Sequence, residues 1–524
     1  MASSGTVDTL LGALVVLVAI VFLRELAGHI GVPYPTLFVL GGIGLAFIPG
    51  LPHLALEPDL VLLVFLPPLL FSAAFEIPQR ELRANIVPVA RLAIGLVIFT
   101  MAIVAGLAHQ LVPEMGWAAA FTLGAIVAPT DALAATSVFR RLGMPRSIVT
   151  IVEGESLLND ATSLVAYRAA VAAVTAGFVL SDALAGFAVA AVGGALIGAV
   201  VGRLGAAILR RLDDPPVEVA ISLLIPFVAY LPADRMGLSG VLAAVTAGLV
   251  IGRRLATILS PSSRILWLST WKMVGFLVNG FVFVLIGFEL PDVLRGLGTR
   301  SPLELVGLIA AIGGAVVVAR IVWALVASLL PGSPRRVFAR RDPRLAWRLV
   351  FVVSWSGLRG AVSLAAALAL KPAFPERNLI VLLTVGVILI TLVGQGLTLP
   401  FIIRRVGWDG VEPDGDEGSI ARAAAYQAGL DEIERTRPSW PGHQPLFDRL
   451  ESGLRDRGQH LATDDAAETE ERRQERLEHE EIQRGIIGAQ RAAVIALRDA
   501  GEINDQTLRS IERELDLEEL RMEG

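Results

Sequence analysis

Long apolar runs follow one another from residue 7 to about residue 403, and most are close to the length that a helix needs to cross a lipid bilayer. A hydrocarbon core of ~30 Å requires roughly 20 helical residues for one crossing. Because backbone groups cannot be hydrated inside lipid, such runs have to be helical. The composition agrees, since 54% of the residues are hydrophobic and 18% are charged. The chain is therefore predicted to be an all-α polytopic membrane protein.

About thirteen transmembrane helices fit this succession of runs. Segments 34–49 and 238–252 are the shortest and match the template least well. The first run has no basic residue before it and no small-residue cleavage site after it, so we interpret it as a span rather than as a signal peptide. The predicted spans are 7–23, 34–49, 60–77, 86–112, 117–139, 148–178, 182–209, 217–232, 238–252, 265–290, 303–330, 346–370 and 378–403.

Arginine residues collect in every second loop between the predicted spans. Lys and Arg are enriched in cytoplasmic loops, whereas acidic residues carry little topological information. The other loops are sparse or acidic, with Glu57, Asp59, Glu114 and Asp182. This alternation predicts an N-terminus outside the plasma (inner) membrane and a cytoplasmic tail. The arginines are Arg80, Arg83, Arg140, Arg141, Arg146, Arg210, Arg211, Arg253, Arg254, Arg335, Arg336, Arg340, Arg341 and Arg344.

The chain divides near residue 403 into a membrane domain, 1–403, and a charged remainder. A linker rich in Gly, Pro and acidic residues, 404–418, leads into a tail of helical periodicity, 419–524. Asn504 is a suitable N-cap for the last helix, and the stretch 462–471 has a composition typical of disorder. We therefore expect a small helical cytoplasmic domain.

Three glycines, Gly194, Gly198 and Gly202, lie at four-residue spacing in one predicted span. Such a small-residue face allows two helices to approach closely. Packing within the molecule is at least as well favoured as a contact between copies of the chain.

The sequence contains no cysteine. Disulfide frameworks, thiolate metal centres and thiol redox chemistry are therefore excluded. The charge pattern does not suggest a nucleic-acid partner, and no cofactor is expected.

A few ionisable residues lie inside the predicted spans. A charge at the bilayer centre costs about 3 kcal/mol even on the most permissive scale, so each such residue indicates a function. At 1.5 Å per helical residue, Asp131 and Asp160 reach the middle of the bilayer on adjacent spans, and Arg359 reaches a similar depth. The informative ones are Glu76, Asp131, Glu155, Asp160, Arg320 and Arg359.

Two of these residues stand beside helix-breaking residues. The motifs "APTDA" at 128–132 and "SGLRGA" at 356–361 place Pro or Gly in mid-span, so both helices are expected to break. A broken helix exposes carbonyl oxygens and helix termini that stabilise ions, and such helices occur in transporters with inverted repeats. The fifth and twelfth spans are therefore candidates for the two halves of an ion site.

The motif "GESLLND" at 154–160 places Ser156 and Asp160 on one helix face, and Glu155 and Asn159 on a neighbouring face. Carboxylates and hydroxyls are the hard oxygen ligands that a small alkali cation prefers. A cation and a proton are then expected to compete for Asp160. The predicted ligands are Asp160, Asp131, Ser156, Thr130 and the amide of Asn159.

The remaining charged residues are expected to support this site. A buried charge needs a partner, so Glu155 is predicted to pair with Arg359 or Arg320. Extension of Arg320 to the membrane interface is a competing interpretation. For Glu76, a solvated helix end and a role near the site are equally favoured.

The sequence resembles the cation/proton antiporter-1 family, which contains the bacterial and eukaryotic sodium/proton exchangers. The matching motifs are "APTDA" at 128–132, "EGESLLNDATSLV" at 153–165 and "GLRGAVSLA" at 357–365. The resemblance spans the membrane domain, and the end of the tail also resembles bacterial members.

This resemblance implies thirteen helices, interleaved dimerisation and core subdomains, and crossed broken helices at the ion site. It further implies a homodimer that exchanges Na+ for H+ by elevator-like alternating access. Asp160 would be the principal site, with Thr130, Asp131, Ser156 and Asn159 beside it. Arg359 would be the structural partner of Glu155, and Glu76 an acid near the site. Asn159 before Asp160 resembles the electroneutral branch, in which one proton moves per cation.

Other functions remain open at this point. K+/H+ exchange is the main rival, and Li+ is a further alternative, because the types of ligand do not define the cavity size. An intramembrane aspartyl protease also uses two buried aspartates, but Asp160 follows Leu-Leu-Asn rather than the motif expected of such an enzyme. A cation channel would require polar rings along a pore.

Overall fold

The described part of the computed structural model is helical, with turns between the helices. It divides into two compact units, Met1–Val411 and Glu412–Gly524. The residues described are 4–30, 32–48, 58–176, 180–288, 291, 300–331, 343–406, 415–461, 485–497, 500, 511, 515 and 517.

The first unit is built from long apolar helices joined by short connections. A four-residue helical turn, Leu255–Ile258, lies between two of them. In chain order the helices are α1 Ser4–Ile30, α2 Tyr34–Ala46, α3 Pro58–Glu76, α4 Gln79–Ala84, α5 Ile86–Leu111, α6 Trp117–Val127, α7 Ala132–Arg141, α8 Arg146–Ala176, α9 Leu180–Leu209, α10 Pro215–Arg235, α11 Gly240–Gly252, α12 Pro261–Phe288, α13 Pro302–Leu329, α14 Pro343–Trp355, α15 Ala361–Leu368 and α16 Arg377–Arg405.

Every predicted span overlaps with helix in the described residues. Eight segments of the described structure are long and apolar enough to cross a membrane, so the all-α, multi-pass fold class is confirmed. The number of thirteen crossings, the inverted repeat and the orientation stay predictions. Glu57, Arg335, Arg336, Arg340 and Arg341, on which the orientation partly rests, lie outside the described residues, as do the side chains of Asp59 and Asp182.

Two helices are interrupted where Pro and Gly stand in mid-span. Residues 128–131 separate α6 from α7, and residues 356–360 separate α14 from α15. The two interruptions touch, because the Asp131 N–H donates a 2.7 Å hydrogen bond to the carbonyl oxygen of Leu358. The predicted pair of broken helices that meet at their breaks is confirmed.

A wider helical turn in α16 lies next to the second break. Residues Ile390–Gln395 are wound as a π-helix. Within it, the Thr391 hydroxyl accepts a 3.1 Å hydrogen bond from the Arg359 N–H. Because π turns are common where a helix serves a site, this turn is consistent with a function at the break.

The glycines of α9 pack against α11 within the same molecule. A Cβ atom built on Gly194 would overlap with the carbonyl oxygen of Ser239, and one on Gly198 with that of Ala243. A Cβ on Gly202 would lie 3.0 Å from the Ala247 Cα. The structure therefore agrees with the first interpretation, in which these three glycines allow two helices of the same chain to pack closely.

Gly198→Leu is expected to destabilise the membrane unit by ~1–3 kcal/mol, because the new side chain forces α11 away from α9. The measurement is the midpoint of thermal unfolding of the purified protein in detergent. Gly186→Leu is the matched control on the same helix, since a Cβ there meets nothing within 4 Å. A Gly198→Leu protein with an unchanged midpoint but an altered oligomeric state would contradict the intramolecular assignment.

The second unit contains the helices α17 Gly415–Thr436, α18 Gln444–Leu461 and α19 Gly485–Leu497. Arg437 holds the turn between α17 and α18 through Asp448, at 2.8 Å, and Glu451, at 2.5 Å. Helix α17 begins inside the predicted linker 404–418, because residues 415–418 are helical. The predicted stretch 462–471 and the helix start at Asn504 lie outside the described residues. The domain limits stay a prediction.

Candidate functional site

A cavity of about 380 Å³ enters the membrane unit and ends at the two broken helices. Its walls come from α3, α7, α8, α12 and α15. Along α8 the lining residues are Glu153, Ser156, Leu157 and Asp160, and none lies beyond Asp160. The cavity therefore opens towards the N-terminal end of α8, which begins at Arg146. It is closed at the level of Asp160.

Asp160 lies at the closed end of this cavity. It is 8% exposed, and Ser156 lines the cavity one turn before it on the same helix. Glu155 and Asn159 are buried and do not line the cavity. The structure therefore has the two helix faces predicted for "GESLLND", with Ser156 and Asp160 on one face and Glu155 and Asn159 on the other.

Asp131 lies between the N-termini of the two half-helices. Its carboxylate caps α7 by accepting a 2.8 Å hydrogen bond from the Leu133 N–H, and it also accepts one from the Ala361 N–H at the start of α15. A Cβ on Gly360 would overlap with this carboxylate, so only glycine allows the approach. Helix N-termini stabilise negative charge, and the two breaks therefore hold Asp131 at the cavity.

A chain of side-chain hydrogen bonds ties the first break to α8. Asn159 Nδ2 donates to Thr130 Oγ1 at 2.7 Å, and Thr130 Oγ1 donates to Glu155 Oε1 at 3.0 Å. The Ser156 hydroxyl donates to the carbonyl oxygen of Thr130 at 2.8 Å and accepts from the Ala132 N–H at 3.2 Å. The unwound backbone is therefore held in one position relative to α8.

Glu155 pairs with Arg320, which decides between its two predicted partners. The pair has two hydrogen bonds, one of them from Arg320 Nη2 to Glu155 Oε2 at 3.0 Å, and both side chains are at most 2% exposed. Arg320 also donates to the carbonyl oxygen of Val353. The interpretation that Arg320 extends to the membrane interface is wrong, because the residue is 1% exposed.

Arg359 has a different role from the one that the family resemblance implied. Its Nη1 donates to the carbonyl oxygen of Ala128 at 2.5 Å, in the opposite break. The expectation that it is the ion-pair partner of Glu155 is wrong. The absence of a side chain at Gly357 gives Arg320 the room to reach that carboxylate, since a Cβ there would overlap with its Cδ.

The mouth of the cavity carries charges of both signs. Glu76, at the C-terminal end of α3, is exposed and lines the mouth. It therefore lies at a solvated helix end and also at the cavity, so the two interpretations of this residue do not exclude each other. Arg140 and Glu153 form an ion pair at 2.7 Å across the mouth, and Lys272 also lines it. The mouth therefore presents acidic and basic groups side by side.

Sequence analysis did not name every residue of the cavity, and Lys272 and Ser363 are two informative omissions. Lys272 lies within the predicted span 265–290, and the rule that selected Asp160 as an ionisable residue inside a span would also have found it. Ser363 lies in the first turn of α15, three residues after Gly360. Its position just behind a break was a usable signal, because residues there face whatever the break binds in other transporters.

Broken helices that meet beside buried acids, at the end of a cavity in a multi-pass helical protein, define a membrane transporter for ions. The family described as "Sodium/hydrogen exchanger, transmembrane" matches residues 13–405. The match covers more than half of the chain, and the chain belongs to the sodium/hydrogen exchanger family. This assignment favours a transporter over the intramembrane protease.

Similar proteins extend over most of the chain. An uncharacterised Na+/H+ exchanger of Mycobacterium tuberculosis is 35% identical over 98% of this chain and 97% of its own length. A sodium, potassium, lithium and rubidium/H+ antiporter of Bacillus subtilis is 36% identical over 71% of this chain and 58% of its own length. The protein is therefore a member of a group whose named functions are cation/proton antiport.

The fold is similar to that of the sodium proton antiporter MjNhaP1 from Methanocaldococcus jannaschii, in a structure at pH 8. The TM-score is 0.61 at 19% sequence identity, covering 77% of this chain and all of that chain. At this identity the likeness concerns the fold alone.

Proposed function

We propose that the protein exchanges Na+ for H+ across the plasma membrane, one for one, with Asp160 binding the cation and the proton in turn. The observation that carries the proposal is the place of Asp160 at the closed end of the cavity, on the same face as Ser156. Among the described residues no Lys or Arg is paired with Asp160. Its carboxylate is therefore open to a cation or a proton from the cavity.

The other site residues have distinct roles in this proposal. Asp131 and Ser156 line the cavity beside Asp160 and act as further oxygen ligands. Thr130 and Asn159 hold the first break against α8 through their hydrogen bond. Glu155, Arg320 and Arg359 fix the breaks, and Glu76 draws cations to the mouth.

Alternating access requires that the closed end opens. Arg168, two turns beyond Asp160 on α8, pairs with Asp234 at the end of α10 and donates to the carbonyl oxygen of Leu238 at 3.3 Å. These contacts lie on the far side of Asp160 from the cavity. We propose that an elevator-like movement of α8 and the broken helices breaks them and exposes Asp160 to the other side.

The arginine pattern and the family resemblance support the remaining proposals. The cavity opens at the end of α8 that adjoins Arg140, Arg141 and Arg146, which the loops predict to be cytoplasmic. The described state would then face inward, with the N-terminus outside and the tail in the cytoplasm. The protein is proposed to act as a homodimer.

K+/H+ exchange is the second candidate, because the Bacillus subtilis relative carries potassium in its name. Proteoliposomes with an imposed pH gradient and an internal pH dye distinguish the cations. We expect Na+ to dissipate the gradient at lower concentration than K+, with Li+ compared in the same series. A lower half-maximal concentration for K+ would assign the second function.

Exchange is expected to be independent of membrane potential, because one Na+ moving against one H+ carries no net charge. Proteoliposomes clamped with K+ and valinomycin at zero and at −100 mV should show equal initial rates at fixed Na+ and pH gradients. Protein-free vesicles treated with the same K+ and valinomycin gradients serve as the control for leak. A severalfold change of rate with potential would overturn the one-for-one stoichiometry.

A further inference from the structure

Ser363 is a buried residue whose hydroxyl has no partner. It lies in the first turn of α15, directly behind the second break, and is 1% exposed. Its Oγ has no hydrogen bond in the structure. Because nearly all buried polar groups are hydrogen-bonded, such a hydroxyl requires an explanation.

The cavity supplies that explanation. Among the described residues, Ser363 is the only one that both lines the cavity and carries a buried side-chain atom without a partner. The others with such atoms do not line it: Thr100, Asn159, Glu218, Trp267, Arg359 and Gln395.

The other serine and threonine hydroxyls along the cavity each donate a hydrogen bond to the protein. Thr130 donates to Glu155, and Ser156 donates to the carbonyl oxygen of Thr130. Ser72, Thr136 and Ser137 each donate to a carbonyl oxygen of their own helix. Ser363 differs from all of them in that its hydroxyl makes no hydrogen bond, so its oxygen has no competing partner when a guest enters the cavity.

We propose that Ser363 Oγ is a ligand of the transported cation, so that the ion is held by the Asp160 carboxylate from α8 and by a hydroxyl from the second broken helix. This inference rests on the proposed function. A hydroxyl oxygen is a suitable ligand for an alkali cation. A proton on Asp160 needs no such ligand. Ser363 thus favours the cation in its competition with the proton.

Ser363→Ala tests this assignment in proteoliposomes. We expect the KM for Na+ to rise roughly tenfold while kcat stays within about twofold, since one ligand of the bound ion is lost. At a fixed low Na+ concentration, the pH profile should shift to higher pH, because the proton then competes more effectively. Ser354→Ala is the matched control: Ser354 is also 1% exposed, but it lies away from the cavity and its hydroxyl donates to the Val350 carbonyl oxygen.

Thermal unfolding separates a ligand from a structural residue. Removal of an unpaired hydroxyl should leave the midpoint in Na+-free buffer unchanged or raised, whereas the stabilisation by added Na+ should be reduced. If Ser363→Ala does not yield folded protein, Ser363→Cys keeps the volume and replaces oxygen by sulfur, a poor ligand for Na+.

Unchanged KM and unchanged stabilisation by Na+ in the variant would overturn the inference while leaving the proposed function in place. A wild-type protein that moves no protons on addition of any alkali cation would instead overturn the proposed function itself.

Discussion

Asp160→Asn is expected to lower cation-driven proton movement at least a hundredfold. The amide has nearly the same shape as the carboxylate, but it neither takes up a proton near neutral pH nor offers a charged ligand to the cation. In the proposed function, Asp160 is the group that takes up the ion at the closed end of the cavity, so its loss should stop the transfer. The measurement is recovery of the imposed pH gradient in proteoliposomes on addition of Na+ or K+.

Glu218→Gln is the matched control for this variant. Glu218 is a buried carboxylate, 1% exposed, on α10 and away from the cavity, so its loss should leave exchange close to wild type. Gel filtration and the unfolding midpoint establish that Asp160→Asn remains folded. If vesicles with Asp160→Asn respond to Na+ or K+ as the wild type does, the site is wrongly placed.

Arg320→Ala is expected to destabilise the membrane unit by ~3–5 kcal/mol, because it leaves the Glu155 carboxylate buried without a counter-charge. The carboxylate also loses the guanidinium that holds it in position, and Thr130, which donates to that carboxylate, should then hold the first break less firmly. Thermal unfolding in detergent measures the first effect. The second should appear as a reduced exchange rate in the protein that remains folded.

The double variant Glu155→Gln with Arg320→Gln should recover part of the lost stability, because it removes both charges together. Glu432→Gln, which breaks the fully exposed pair with Arg435 on α17, serves as a control and should leave the midpoint unchanged. A double variant less stable than Arg320→Ala would show that the pair contributes more than charge compensation.

Much of the candidate site was predictable, because a charged side chain inside a membrane span is costly and therefore indicates a function. Asp131 and Asp160 stood out as ionisable residues in apolar spans, and both line the cavity. The breaks at 128–131 and 356–360 followed from Pro129 and from the glycines of "SGLRGA", because both residue types disfavour a continuous helix at their own positions. These properties depend on neighbours in the chain.

The partner of Glu155 was not predictable, because Arg320 and Arg359 have the same charge and both lie inside predicted spans. Which of them reaches the carboxylate depends on the space beside Gly357, which arises only when α13 packs against α14 and the second break. The unpaired hydroxyl of Ser363 was likewise not predictable from the sequence, since it depends on which hydrogen-bonding groups the packed helices place around Ser363.

The sequence by itself determined the all-helical membrane class, the two breaks and the carboxylates between them, since hydrophobicity, helix breaking and the cost of buried charge act locally. Only the tertiary structure decided that the breaks touch through Asp131 and Leu358, that Arg320 rather than Arg359 neutralises Glu155, and that the cavity ends at Asp160. These features require distances between residues remote in the chain. Such distances are set by the packing of whole helices, and no local pattern encodes them.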